Sequence, residues 1–192
     1  MDWSRLSGTV PPPLPPESVC RGRRTDGDHV SNDEIHDVVL RYCRGIDRLD
    51  FDLVRSAYHP TGIDHHTGFD GTVEDYIEWV GVALARFAGT MHVVANHLAE
   101  VNGDVAVAET YGYASHWGDP IDDPRRNFTT GFRYVDVMTR EGGRWAIKER
   151  WAIREWTRSD AGRLMPKEGV GPAPARDRTD PLYRAQEIAG LR

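Results

Sequence analysis

The chain has 192 residues, 39% of them hydrophobic, and a formal net charge of -6. That length supports one domain with a real core, and the acidic balance excludes a nucleic-acid partner held through a basic face. No apolar run approaches the ~20 residues that span a bilayer, and the opening "MDWSRLSGTVPPPLPPE" lacks the apolar stretch of a secretory signal.

In chain order, residues 1–30 read as an extended, Pro-rich arm. "PPPLPP" favours polyproline conformation, and the segment is either a disordered leader or an arm that packs on a neighbouring subunit. Of the two cysteines, Cys20 lies in this arm and Cys43 in the helix that follows. No CxxC spacing exists, so neither a zinc knuckle nor a redox pair is expected, and a reducing cytoplasm is the expected setting. Ser31 to Glu34 form a capping-box pattern that starts a first helix. Its apolar stripe is Ile35, Val38, Val39, Tyr42 and Ile46. A short second helix follows in "FDLVRSAYH", closed by Pro60, then a strand and turn in "TGIDHHTGF". Thr72 and Asp75 open a third helix whose inner face is Val73, Tyr76, Ile77, Val80, Leu84 and Phe87.

The period then changes. Four segments rich in β-branched and aromatic residues are joined in pairs by "NGD" and "EGG", two hairpin signals. A polar, Pro-interrupted loop, "GDPIDDPRRN", separates the hairpins. Helices followed by antiparallel strands define an α+β domain over residues 31–157. Residues 158–192 are a Pro/Gly-broken tail whose last stretch forms a short helix or packs on a neighbouring subunit.

Several polar residues sit where chemistry could use them. Asp47 follows directly on the apolar stripe of the first helix. Either the helix has ended and this carboxylate is in water, or it points inward to a partner, because an unpaired buried charge is costly. Strand alternation puts Asp64 and His66 on one face and His65 on the other. With His59 and His92 these offer nitrogen and oxygen ligands, but adjacent histidines on a strand diverge and no HExxH or HxH motif exists, so no metal is expected. Glu109, Tyr111 and Tyr113 share a strand face with Val105 and Val107. That face either lines a cavity, where Glu109 must be paired or protonated, or lies in a subunit interface. Arg150, Ala152 and Arg154 share one face of the last strand. An arginine in a cavity would stabilise developing negative charge, while on a surface it would form a weak ion pair. Among the aromatics, Phe69, Phe87, Phe132, Tyr134, Trp117 and Trp151 are core by default, and some suit a pocket for a flat substrate.

Three motifs together resemble the SnoaL-like and nuclear transport factor 2-like superfamily: "RYCRGIDRLDFDLVRSAYHPTGIDHH", "GTMHVVANH" and "REGGRWAIKERWA". The resemblance implies a cone-shaped, curved, mixed sheet packed on N-terminal helices around a cavity. It is nearest to the branch of scytalone dehydratase and hexachlorocyclohexane dehydrochlorinase, whose catalytic base is a histidine on the first long strand, oriented by an aspartate at the end of the first helix. Those positions match His92 and Asp47. His66 stands where the dehydratase has a substrate-polarising tyrosine. Arg150 matches an arginine of the dehydrochlorinase, Tyr42 falls on its other polar helix residue, and Glu109 falls near a dehydratase histidine. The resemblance therefore implies a cofactor-independent lyase of a small hydrophobic, aromatic substrate. His92 and Asp47 would be catalytic, and His66, Tyr42, Arg150, Glu109, Tyr111 and Tyr134 would contact the substrate. Water, halide or a small aldehyde such as formaldehyde would leave. It also implies a homotrimer. An isomerase, or a binding subunit like the small subunit of ring-hydroxylating dioxygenases, are the alternatives on the same fold.

Overall fold

A computed structural model of the chain describes residues 26–119, 124–160 and 174–190. Helix α1 spans Asp26–Arg48, α2 Phe51–Ala57 and α3 Val73–Leu84. Strands β1 (Tyr58–His66) and β2 (Phe69–Thr72) lie between α2 and α3. The long strands β3 (Gly89–Asn102), β4 (Val105–Trp117), β5 (Phe128–Glu141) and β6 (Arg144–Ser159) follow, and α4 spans Pro181–Ile188. The six strands form one sheet in the order β2-β1-β6-β5-β4-β3. All neighbours are antiparallel except β1 and β6, which run parallel, so the sheet is mixed. The expected α+β class and cone-like curved sheet are observed.

Two local expectations change. The helix begins at Asp26, five residues ahead of the Ser31 to Glu34 pattern, so that pattern lies inside α1 and does not start it. Pro60 does not close the second helix: α2 ends at Ala57, and Pro60 lies in β1, where the pairing with β6 slips between Tyr58 and Ile63. A slipped register is where a residue without an N–H is tolerated in a strand. The Pro-rich stretch, Cys20 and residues 161–173 of the tail lie outside the described residues.

The core forms where α1 and α3 lay their apolar stripes on the sheet. Ile35, Val38, Val39, Tyr42 and Ile46 are all buried, as are Val73, Tyr76, Ile77, Val80 and Leu84. On the sheet, helix α1 packs chiefly against β3, and the inward residues Ala106 and Ala108 of β4 are small and buried. Gly45 lets α2 fold back on α1, because a Cβ there would lie 2.7 Å from Val54 Cγ2. The joint between these helices is tight: Leu49 takes a left-handed φ of 52°. Asp50 then caps α2 by accepting from the Leu53 N–H at 3.0 Å.

Bulges bend the sheet and switch which residues face inward. On β6 the pairing moves from Ile147–Met138 to Glu149–Val137, which leaves Lys148 as the extra residue. Trp145 and Ile147 therefore face the core before the bulge and Arg150 after it. On β3 a second irregularity falls between Val94 and His97. These bends produce a concave face under the helices.

Candidate active site

The concave face encloses a cavity of about 210 Å³. Helix residues Tyr42, Ile46 and Tyr76 wall one side, and His92, Phe132 and Tyr134 of the sheet wall the other. The floor is an aromatic stack: Phe132 and Tyr134 have ring centroids 4.3 Å apart. Gly112 of β4 makes room for it, since a Cβ there would lie 2.6 Å from the Phe132 ring.

Asp47 does not fray into water. It stands at the end of α1 beside β3, the edge strand of the sheet, whose backbone offers it a donor. Asp47 Oδ2 accepts the backbone N–H of His92 at 2.9 Å. Its Oδ1 accepts the Thr90 hydroxyl at 3.2 Å and meets His92 Nδ1 at 2.7 Å. Both side chains are nearly buried, at 8% exposure for His92 and 13% for Asp47. An ionised carboxylate only accepts, so Nδ1 carries the proton and the lone pair sits on Nε2. Because His92 lines the cavity, that nitrogen is available to a bound molecule.

A second imidazole–carboxylate pair belongs to the same cavity. His66 lines it, and His66 Nδ1 is hydrogen-bonded to Asp64 Oδ1. Asp64 is wholly buried, and its Oδ2 accepts the Tyr58 hydroxyl. The strand alternation places Asp64 and His66 on one face, while His65 stacks on Trp151 on the other, bonded to Glu149. His66 stacks on Tyr76 at 4.8 Å, and the Tyr76 hydroxyl bonds to that of Tyr42. Burial pushes the phenols of Tyr42, Tyr76 and Tyr134 up, which keeps them neutral donors.

Arg150 corrects an expectation. It is fully buried but does not line the cavity. It donates to Asp136 through Nε and Nη2, both at 2.7 Å. Its guanidinium lies 4.2 Å from the Tyr42 ring centroid and 4.1 Å from that of Tyr134, sandwiched behind the cavity wall. Burial opposes its charge, but Asp136 outweighs that cost and holds the arginine firmly protonated. Arg150 therefore reaches the cavity only through the two phenol rings. Arg154, four residues on, does line it.

Glu109 and Tyr111 are also corrected. Residues of β4 alternate, and the inward set is Ala106, Ala108, Thr110, Ala114 and His116. Glu109 and Tyr111 therefore lie on the outer face, where Glu109 is bonded to Arg133 at 2.9 Å and Tyr111 is 42% exposed. The cavity residues that β4 does supply are Ala114 and His116, and pattern reading missed the imidazole. It shares parity with the small inward residues and pairs with Thr90 of β3, two positions from His92. Its ring lies 6.5 Å from His92 and stacks on Phe128 at 4.4 Å. Burial, with help from the neighbouring His92, pushes it down to about 4, so it is a neutral imidazole near pH 7.

The C-terminal segment also reaches this end of the cavity. Arg176 donates to the carbonyls of Phe87 at 2.7 Å and Leu84 at 3.3 Å, just past α3. Tyr183 of α4 donates to Asp50 at 2.9 Å. Among the described residues, no three His, Cys, Asp or Glu side chains converge as a metal site would require. No helix among them is long and apolar enough to cross a membrane.

The fold and the enclosed cavity define a cone-shaped α+β domain built to hold a small molecule. The chain belongs to the SnoaL-like domain family, whose profile matches residues 30–151. Solved structures share the fold at low identity. A putative scytalone dehydratase from Novosphingobium aromaticivorans superposes with a TM-score of 0.64 at 18% identity, over 77% of this chain and 99% of its own. The hexachlorocyclohexane dehydrochlorinase LinA-type3 from Novosphingobium barchaimii gives 0.65 at 17% identity, over 74% and 100%. The protein Kfla4162 from Kribbella flavida gives 0.62 at 19% identity, over 68% and 95%. No curated protein sequence matches the chain.

Proposed function

We propose that the chain is a cofactor-independent lyase of a small, flat, hydrophobic molecule, aromatic in character. The reaction starts when His92 Nε2 removes a proton from carbon. Asp47 holds the imidazole in the required tautomer and stabilises the imidazolium as it forms. The observation that carries this reading is the contact of Asp47 with His92 Nδ1 at 2.7 Å beside an aromatic-walled cavity. The Phe132–Tyr134 floor suits a planar substrate. Tyr42, Tyr134 and His66 hold the substrate's oxygens, and neutral His116 accepts or donates a further hydrogen bond. The bond broken is C–O, C–halogen, or C–C with release of a small aldehyde such as formaldehyde, and all three begin with the same proton removal. Similarity to a putative dehydratase and a dehydrochlorinase supports the class.

An isomerase is the second reading, and the additional imidazoles in the cavity favour it, because a proton removed by one can be returned elsewhere by another. A purely binding subunit would need no oriented base. A homo-oligomer, by resemblance a trimer, would cover the apolar outer sheet face, where Val105, Val107, Tyr111 and Trp156 are exposed. The buried free thiol of Cys43 fits a reducing cytoplasm.

The test is a panel of aromatic diols and alcohols, assayed for loss of water and for formaldehyde with wild type and His92→Ala. Turnover is expected with wild type and should vanish in the variant while it stays folded. Full activity in His92→Ala would sink the reading.

A further inference from the structure

The cavity opens to solvent, and its exposed lining residues mark the opening. Among the described residues that line it, Thr67, Arg86 and Arg154 are exposed, and the others are buried or half-buried. Trp79 and Ala83 of α3, with Arg86 just past the helix end, border one side. The Arg86 guanidinium lies 5.1 Å from the ring centroid of Phe87, itself a cavity residue. Arg154 borders the other side from β6, where Ala152 shares its strand face. Its cross-strand partner is Phe132, so the arginine stands beside the aromatic floor.

The protein does not neutralise these two cations. No aspartate or glutamate is among the described residues that line the cavity. Other surface arginines are matched to acids: Arg55 to Asp52 and Glu74, Arg133 to Glu109 and Glu155, and Arg140 to Asp104. Glu155, next to Arg154 in the chain, is thus taken by Arg133 on the outer face. Among the described residues neither Arg86 nor Arg154 forms an ion pair. The neighbouring Arg150 and Arg176 are spent on Asp136 and on the carbonyls of Leu84 and Phe87. Two unmatched guanidinium groups therefore flank the mouth of an acid-free cavity, in a chain whose net charge is -6. Charge of one sign at the mouth of a cleft draws in a ligand of the other sign.

We propose that the molecule this cavity takes is an anion, a carboxylate carried on a flat aromatic body, and that Arg86 and Arg154 bind the carboxylate at the mouth. This rests on the reading of the cavity as the seat of a flat aromatic molecule. The planar fork of an arginine matches the two oxygens of a carboxylate. The same charges fix which end enters first. A carboxylate deep in the cavity would lose its hydration with no counter-charge to replace it, since Arg150 is committed to Asp136 and both Asp47 and Asp64 stand behind their histidines. At the rim it meets both arginines and keeps part of its water. The ring therefore goes in first, onto Phe132 and Tyr134, and the acid stays at the mouth. A ring on Phe132 is beside His92, whose imidazole lies 5.8 Å from it.

The probes are trans-cinnamate and trans-cinnamamide, which share a shape and differ in charge. Calorimetric titration measures the affinity of each at about pH 8, where an ordinary imidazole is neutral and a preference for the anion reports the arginines. Wild type should bind cinnamate about tenfold more tightly than cinnamamide, as two partly exposed ion pairs would give. Raising salt from about 0.05 to about 0.5 M should shrink that ratio. Arg86→Gln and Arg154→Gln should each lower it, and the double variant should bind the two probes within about twofold of each other. The ratio within one protein does not depend on how much of it is folded, so instability cannot imitate the result. Equal affinities in wild type would overturn the proposal and leave the reading of the cavity standing. A tenfold preference that survives in the double variant would also overturn it, because another cation would then hold the acid. Binding of neither probe would overturn the proposal together with the reading beneath it.

Discussion

Replacing Asp47 by Asn tests the site at its most constrained point. The carboxylate serves donors that approach different oxygens: the His92 backbone N–H at 2.9 Å, and His92 Nδ1 at 2.7 Å with the Thr90 hydroxyl at 3.2 Å. A carboxamide has one accepting oxygen. The backbone N–H is a fixed donor, so the Asn oxygen must stay with it and the NH2 group turns to Nδ1. Nδ1 then becomes an acceptor, and the proton moves to Nε2, where the lone pair is needed. Loss of an oriented base in this way costs on the order of 10⁴ in turnover, or about 5 kcal/mol on the barrier. Stability should fall far less. One hydrogen bond to a charged group is lost and its partners remain bonded, so the expected change is about 2 kcal/mol. Turnover on the alcohol panel and urea unfolding measure the two effects separately. Long-range nitrogen–proton NMR of the imidazole reads the tautomer directly and needs no substrate. An Asp47→Asn variant that keeps Nε2 unprotonated, or that works within about tenfold of wild type, would refute the argument.

Two further outcomes follow from the buried charges. Arg150→Met should destabilise by about 3 to 5 kcal/mol in urea unfolding, because Asp136 is left buried without its cation. Adding Asp136→Leu should recover most of that loss, and a single variant within about 1 kcal/mol of wild type would show that the pair is not desolvated as described. The second outcome concerns pH. Burial pushes His97 and His116 down from 6.5 to about 4, so the unfolded chain binds more protons than the folded one between those values. Stability is therefore complete above pH 6.5 and is lost as pH falls toward 4. Unfolding in urea at a series of pH values should show this slope, and His116→Phe should flatten it. An unchanged slope would place the titration elsewhere.

Much of this fold is legible in the sequence because its periods are clean. The stripe from Ile35 to Ile46 and the inner face of α3 are buried residue for residue, and "NGD" and "EGG" mark the two hairpin turns at Gly103, Gly142 and Gly143, all with positive φ. Asp47 and His92 were reachable only through family resemblance, since neither lies in a local motif and 45 residues separate them. Strict alternation misleads where a bulge intervenes. It cannot put Trp145, Ile147 and Arg150 on one face, yet all three are buried, because Lys148 is an extra residue. His116 was missed for a different reason. The bulky outward run of Val105, Val107, Tyr111 and Tyr113 looks more like a core face than the inward Ala106, Ala108, Gly112 and Ala114 do. The signal was there in reverse: the small residues of β4 mark its inward, buried face.

That same contrast of size explains why the cavity sits where it does. Ala106 and Ala108 of β4 are small inward residues of the core, in which helix α1 packs against β3 at the edge of the sheet. Toward its C-terminal end the sheet offers Phe132 and Tyr134 instead, with the Arg150 guanidinium wedged between Tyr42 and Tyr134. The helix cannot reach the sheet across those rings, so a gap opens between Ile46 and the aromatic floor. An apolar gap of this kind binds flat molecules without chemistry. The chemistry requires polar groups that are already satisfied when the gap is empty, since unsatisfied ones would unfold the region. The two carboxylates do this from opposite sides. Asp47 is satisfied by a strand-edge N–H and Asp64 by the Tyr58 hydroxyl, and each keeps its second oxygen for one histidine. Both imidazoles are thereby locked through Nδ1 and offer Nε2 to the gap. The orientation of both imidazoles is thus set by the helix end and by the β1 ladder before any ligand enters, and such preorganisation is what proton transfer needs.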